Sequence, residues 1–444
     1  MGPGLRKCGV PYWLETTSMA EGTRRIKCVE VDCANMILPT TAEANDGFCA
    51  PCADRRRAAE RRKFIEANKR VVDPYVGITD VVDLICAIHT PRGHDPLIEY
   101  ATPPVSAGQL YAKLTQAEAE RLTDAAANAL KSGDEHFADE LATSLATRTD
   151  YNLDRLLRAF VQKNKFWPAI VFRNAGPEIR DSIIAALNSG RAHANHALSA
   201  LAWIGDEVVR TQFEIWDSTS PDWWEHLYVL PSEYSRVAGW EDAGGRRRDL
   251  FHNECFAIEP VASNQPEDQS AVVAKDAEGL CPWCDERLVH LVELDLADSR
   301  YSFLGVRAKA LPVLTCHVCT CYGVIFSEVT SDGVGHWAER NVRPKFLPAD
   351  SSSWAKSPWL GKRIALRKRR AIEAAYWCDS PAASQIGGMP TWIQNHAFPD
   401  CACCKRTMMF LAQVDQSAFP GHEGIYYAFL CAQCRITATT YQQS

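Results

Sequence analysis

The chain has 444 residues, 46% of them hydrophobic and 23% charged, with 48 Lys and Arg against 55 Asp and Glu for a net charge of −7. This composition excludes a mainly disordered chain, a collagen and a coiled-coil rod, and the length predicts about two to four domains. No apolar run is long enough to span a bilayer, no signal-peptide core follows Met1, and the acidic balance argues against nucleic-acid affinity through bulk charge.

The chain holds eighteen cysteines, many in Cys-x-x-Cys pairs. A secreted disulfide scaffold is short and carries a signal peptide, so the pattern predicts a reduced compartment and structural zinc. The first group is Cys28, Cys33, Cys49 and Cys52, spaced C-x4-C-x15-C-x2-C. Two close pairs on two turns supply the four ligands of a tetrahedral centre. Leu38-Pro39-Thr40 and Asn45-Asp46-Gly47 read as turns between them. The polar run from Asp54 to Lys63 then predicts a charged helix, so residues 24–70 read as a small zinc module with that helix.

Residues 71–107 hold five prolines and read as an irregular connector with one short helix near Val81–His89. A helical stretch follows over 108–258. Thr115 and Glu118 form a capping box, Leu122, Ala126 and Leu130 recur at helical spacing, and Gly133 is a C-terminal stop. Further helices carry Phe137, Leu141 and Leu145; Leu153 to Val161; Ile179, Ile183, Ile184 and Leu187; Ala197 to Ala202; and Val208 to Trp216. The join through Ile204-Gly205-Asp206 resembles that of HEAT-like repeats, which stack helix pairs into a curved binding surface. A plain helical bundle is the other reading.

Residues 259–279 are polar and read as a linker. Beyond them lie two zinc-ribbon patterns, Cys281, Cys284, Cys316 and Cys319, then Cys401, Cys404, Cys431 and Cys434. Asp295 and Asp415 each stand eleven residues after the second cysteine of their group. Phe326 and Tyr441 each stand seven after the fourth. Apolar and aromatic arms predict strands, and the matched flanks predict an internal duplication with one zinc per β-rich half. Four cysteines close a tetrahedron, so no hydrolytic zinc site is expected. Of the remaining cysteines, Cys86 and Cys255 read as small hydrophobes, Cys403 as a spare inside a knuckle, and Cys8, Cys321 and Cys378 have no assigned role.

Other chemistry is sparse. His193 and His196 lie at i, i+3 on a predicted helix without a third ligand, and His252-x-x-Cys255 is similar. The phosphate-loop, dinucleotide, nucleophile-elbow and metalloprotease motifs are absent, and no catalytic constellation emerges. Two basic runs, 55–63 and 362–370, could hold phosphate, and a solvated helix face explains them as well.

Gln385-Ile-Gly-Gly-Met-Pro-Thr-Trp-Ile-Gln394, Met409-Phe-Leu-Ala-Gln-Val-Asp415 and Glu423-Gly-Ile-Tyr-Tyr-Ala-Phe429 together resemble the bacterial YwqG-like family, over about 380–444. Here two cysteine knuckles are added to the family pattern. The family has no assigned catalysis, and its members often occur near polymorphic toxins. The resemblance therefore implies an immunity protein, not an enzyme, which neutralises a cognate secreted toxin of the type VI or Rhs class by occlusion.

The combined expectation is a cytoplasmic, multi-domain α+β protein. Residues 1–70 form the N-terminal zinc module, 71–107 the connector, 108–258 an all-α HEAT-like domain, 259–279 a linker and 280–444 a duplicated zinc-ribbon/YwqG-like β-rich region. Three structural zinc ions are its cofactors and a protein toxin its leading partner. A nucleic-acid- or ribosome-associated zinc-ribbon protein is the alternative, and no membrane partner is expected.

Overall fold

The computed structural model describes residues 25–227, 229–261, 264, 266–347, 362–373, 384–415, 419 and 423–443. Cys8, Cys378 and most of residues 348–383 lie outside the described residues. The chain folds into two compact units of mixed helix and sheet, and among the described residues no helix is long and apolar enough to cross a membrane.

The smaller unit runs to Val76 and adds Arg92–Thr102. It holds a hairpin of β1 (Ile26–Lys27) and β2 (Met36–Ile37), a short α1 (Pro39–Ala44) and the long α2 (Ala50–Asn68). Pro39 was expected in a turn. It instead opens α1, because a proline at the first helical position surrenders no needed N–H. Among the described residues, Ile37 is the one non-cysteine residue of the module's apolar core, with Ala42 and Phe48 packed against it. So small a core folds only with a cross-link, which is the role a metal would fill. The expected connector is split. Its flanks form β3 (Arg70–Val72) and β4 (Ile98–Tyr100), paired in parallel, and Arg92 lies over both Tyr75 and Tyr100 at 5.1 Å.

The larger unit begins with helices in two layers. The outer layer contains α3 (Val81–His89), and α4 (Ala107–Tyr111) lies in the inner one. Then α5 (Gln116–Ser132) is outer and α6 (Glu135–Arg148) inner, α7 (Asp154–Gln162) outer and the 3-10 turn Ala169–Phe172 inner. Last come α8 (Pro177–Asn188) and α10 (Glu207–Thr219) outside, with α9 (Ala194–Ile204) and the 3-10 turn Pro231–Ala238 inside. The Thr115–Glu118 capping box is present, and Gly133 and Gly205 end α5 and α9 in left-handed conformations. Residues 141–149 of the inner layer and Ala197 to Trp203 of α9 are buried on all sides.

Charged pairs cross-link neighbouring outer helices. Arg121 of α5 meets Asp80, the N-cap of α3, at 2.9 Å, and Arg155 of α7 meets Asp124 of α5 at 2.8 Å. Arg158 of α7 meets Glu178 of α8 at 2.9 Å, and Arg180 of α8 meets Asp206, the N-cap of α10, at 2.6 Å. Each exposed pair is worth little alone, but the ladder fixes the order of stacking.

The rest of the unit is β-rich. After a small hairpin of β5 (Trp240–Asp242) and β6 (Arg247–Asp249) come β7 (His252–Pro260), β8 (Ala271–Leu280), β9 (Arg287–Asp295), β10 (Ala310–Thr315), β11 (Ile325–Val329), β12 (Gly335–Trp337), β13 (Ile364–Arg370), β14 (Gln385–Gly388), β15 (Met409–Asp415), β16 (Gly424–Cys431) and β17 (Ile436–Gln443). An eight-stranded sheet runs β12-β11-β17-β16-β15-β14-β7-β13, and β10-β9-β8 form a second sheet. One apolar core, including Leu291, Leu294, Val313, Leu411, Val414 and Tyr426, lies between the two.

Three expectations are corrected here. The segment 259–279 is not a plain linker. It includes the end of β7 and most of β8, in which Ala271 and Val273 are buried while Val272 and Lys275 are exposed, a period-two pattern diluted by charges. The expected helical domain also loses its last residues, because 240–242, 247–249 and 252–258 are strands. The basic run 362–370 is not a helix face but β13, at the edge of the eight-stranded sheet. Lysine and arginine on an edge strand repel further strands.

Candidate metal centres

Twelve of the cysteines converge in three groups of four, and within each group all sulfur atoms lie within 4.8 Å of one another. The groups are Cys28, Cys33, Cys49 and Cys52; Cys281, Cys284, Cys316 and Cys319; and Cys401, Cys404, Cys431 and Cys434. All twelve are free thiols. Measured separations are 3.7 Å for Cys33–Cys49, 3.7 Å for Cys281–Cys319, 3.5 Å for Cys284–Cys316 and 3.7 Å for Cys404–Cys431. A disulfide needs about 2.0 Å. A tetrahedron with metal–sulfur bonds of about 2.3 Å needs sulfurs about 3.8 Å apart, which these groups approach. The residues therefore fit a four-thiolate metal centre.

The first centre joins the β1–β2 turn to the start of α2. Cys49 is the N-cap of α2 and Cys52 lies in its first turn, so the helix delivers both sulfurs. The sulfurs are themselves hydrogen-bonded, by the Cys49 N–H to Cys28 Sγ at 3.2 Å, Asn35 Nδ2 to Cys49 Sγ at 3.3 Å and Arg55 Nη2 to Cys52 Sγ at 2.9 Å. The Asn35 amide stabilises the thiolate and lowers the Cys49 pKa to about 6. Such outer donors orient ligands and favour the deprotonated form that binds metal. Asn35 and Arg55 escaped the sequence reading, since nothing in their spacing marks them.

The second and third centres are built alike. In each, the first cysteine's N–H donates across the turn, Cys281 to the Glu286 carbonyl at 2.7 Å and Cys401 to the Arg406 carbonyl at 2.8 Å. The residue after the second cysteine donates back to the first cysteine's carbonyl at 3.0 Å in both, from Asp285 and from Lys405. Both residues are left-handed, with φ of 59° and 61°. A non-glycine residue there costs about 1 kcal/mol or more, a strain the closed turn sustains. Hydrogen bonds from neighbouring thiols, Cys284 first, pull Cys281 well below the ordinary thiol range. The backbone N–H of Arg406 likewise lowers Cys404 to about 6.

The other candidates are not members of these groups of four, although Cys403 hydrogen-bonds to Cys434. Cys255 is buried, and burial lifts its thiol to about 12, as a small hydrophobe requires. Cys86 is half-buried and Cys403 exposed. Cys321 points to the His317 carbonyl at 3.4 Å. His193 and His196 lie with ring centroids 4.4 Å apart and planes tilted by 36° at the start of α9. Among the described residues neither they nor His252 belong to a group that could hold a metal.

The Gly387-Gly388-Met389-Pro390 turn is held by a polar face of the large sheet, which the sequence reading missed. Gln385 and Gln413 are cross-strand partners, both fully buried. Gln385 Nε2 donates to the carbonyls of Gly387 and Met389 at 2.9 Å, while Gln413 Oε1 accepts the Thr391 N–H at 2.9 Å. Tyr427 OH donates to the Thr391 carbonyl at 2.6 Å, and Gln442 Oε1 accepts from Ile393 at 3.2 Å and Gln394 at 3.0 Å. Glutamines recurring in otherwise apolar strands were the available signal.

No family model matches the chain, and no solved structure matches it. A protein of Salmonella typhimurium (strain LT2), described as the uncharacterized protein YpfL, is 35% identical over 430 residues, which cover 95% of this chain and 99% of that one. Identity at that level across nearly the whole of both chains makes this chain a member of the same family as YpfL.

Proposed function

We propose that the protein is a zinc-stapled binding protein of the bacterial cytoplasm, which captures a cognate secreted toxin and neutralises it by covering its active surface. Zinc is the favoured metal because four thiolates suit a borderline-soft ion with no geometric demand beyond a tetrahedron. Four protein ligands fill that tetrahedron, so each centre acts on shape rather than on substrate. The resemblance of residues 380–444 to the YwqG-like family supports the toxin as partner, and occlusion needs only a complementary surface.

The observation that carries the binding role is the two-layer helical stack. Residues 141–149 and 197–203 of its inner layer are buried on all sides, while the outer layer presents α5, α7 and α8 to solvent in a fixed order. In this reading the stack is HEAT-like, and its outer layer is the surface on which a protein partner docks. The β-rich region is then a duplicated, metal-clipped YwqG-like unit that anchors it.

The test is affinity capture of the full chain from its own bacterium, with the neighbouring open reading frame co-expressed. Capture of a toxin C-terminal domain, with rescue of growth against that domain, is the expected result. Capture without rescue, or no toxin at all, overturns the proposal.

A further inference from the structure

The two basic runs have opposite electrostatic fates. In β13, and at Arg363 just before it, the cations are spent on nearby carboxylates. Arg363 pairs with Glu267 at 3.1 Å, Arg367 with Glu259 at 2.9 Å, Lys368 with Glu254 at 2.9 Å, Arg369 with Glu373 at 2.9 Å and Arg370 with Asp150 at 2.5 Å. In α2 the engagement stops halfway. Arg55 faces Cys52, Arg56 pairs with Glu60 and lies over the Phe48 ring at 4.9 Å, and Arg57 pairs with Asp54 at 2.7 Å. One turn further on, Arg61, Arg62 and Lys63 are exposed and make no ion pair or hydrogen bond among the described residues.

The helix that carries them is exposed along nearly its whole length. Its 19 residues bury only Cys52 and Ala53, both at the metal-anchored end. Six cations against three carboxylates give it a charge of +3 in a chain of −7. At 1.5 Å per residue it is about 28 Å long. It has no apolar stripe. Phe64 is exposed and Ile65 half-buried between charged neighbours, so it lacks the amphipathic face that a membrane surface requires. A helix polar all round needs a polar environment or a polar partner.

We propose that α2 docks on duplex DNA through the phosphate backbone, with Arg61, Arg62 and Lys63 as the contacting cations and the tetra-cysteine centre as its rigid base. A helix about 10–12 Å across matches the B-form major groove, about 12 Å wide, and not the deep, narrow groove of A-form RNA. Nothing in the helix marks base-specific contacts, so the binding is sequence-independent. This inference does not rest on the toxin reading, and either can fail alone.

The experiment is fluorescence anisotropy of the full, metal-loaded chain with a labelled 20-base-pair DNA duplex, across about 50–200 mM salt. Three phosphate contacts give a slope of log affinity against log salt of about −3. The variant R61A/R62A/K63A is expected to lose most of that slope, while R61K/R62K retains it. R367A/K368A is expected to bind as the parent does. Unchanged metal content and circular dichroism show that the surface variants are folded. Failure of the parent to bind duplex at 50 mM salt overturns the proposal. So does an unchanged slope in the triple alanine variant, or tighter binding of a single strand or of an acidic protein.

Discussion

The two cysteine clips of the β-rich region, 281–329 and 401–443, begin identically and finish differently. In the first, Asp295 of β9 pairs with Ala310 of β10; in the second, Asp415 of β15 pairs with Ile425 of β16. Each aspartate is eleven residues past the second cysteine, and each partner six before the third. Both ladders also carry an irregularity in register at corresponding places, opposite Pro312/Leu314 in one and between Phe410 and Ala412 in the other. The two clips thus agree both in register and in the place of the irregularity.

The divergence starts at the fourth cysteine. After Cys434 the chain turns at once through Arg435, with φ of 52°, and β17 returns beside β16. After Cys319 it continues as a 3-10 turn, Cys319–Tyr322, and β11 leaves β10 to pair with β17 across the sandwich. The two clips meet there, and Thr315 Oγ1 lies 2.7 Å from that of Thr320 and 2.6 Å from that of Thr439 in a buried hydroxyl cluster. A cysteine clip therefore dictates the register of the strands that enter it, whereas the turn that leaves it decides which sheet the next strand joins.

Substituting a cysteine in either clip tests this most severely. Cys431 lies at the end of β16, every residue of which is buried, in the middle of the eight-stranded sheet. Cys431→Ser is expected to lower the thermal midpoint by on the order of 10 °C and to broaden or abolish cooperative unfolding. Cys316→Ser, at the end of the smaller sheet, is expected to cost less and to leave amides of β15–β17 protected in hydrogen exchange. A larger loss from Cys316→Ser breaks the comparison.

A milder test uses positions that correspond in the two clips. Tyr427 stands four residues before Cys431, where Pro312 stands four before Cys316. The Tyr427 hydroxyl holds the Thr391 carbonyl in a buried site. Tyr427→Phe is expected to destabilise by about 1–3 kcal/mol in denaturant unfolding, because that acceptor loses its donor. Pro312→Ala removes no such bond, and an equal cost would show that the turn is held otherwise.

The smallest effect belongs to the helical stack. Hydrogen bonding from Arg121 holds the Asp80 carboxyl below its ordinary pKa, and Arg158 does the same to Glu178. A depressed carboxylate stabilises the fold above its unfolded-state pKa and loses that contribution as pH falls through the folded value. Arg121→Ala is therefore expected to lower the melting temperature slightly at pH 7 and not at pH 3. A difference that persists in acid means that Arg121 acts by packing.

Legibility in the sequence follows locality. The Thr115–Glu118 box, Gly133 and Gly205 could be read because a cap is a contact within four residues. The cysteine groups could be read because metal-ligand spacing is a short-range signature. Strand β8 was hidden by charges among its alternating residues, and β13 by the arginines and lysines that protect an edge. The parallel pairing of β3 with β4 and the antiparallel pairing of β11 with β17 depend on distant chain and leave no local trace. The outer ligands Asn35 and Arg55 were hidden for a related reason, since a donor aimed at sulfur has no fixed spacing from it.

The central claim is that three tetra-cysteine centres hold metal and that the fold depends on them. Metal analysis of the full chain by mass spectrometry, set beside Cys281→Ser and Cys401→Ser, tests it most directly. The account predicts three zinc ions per chain in the parent and two in each variant. Fewer than three in the parent, iron in place of zinc, or disulfides among these cysteines would contradict it.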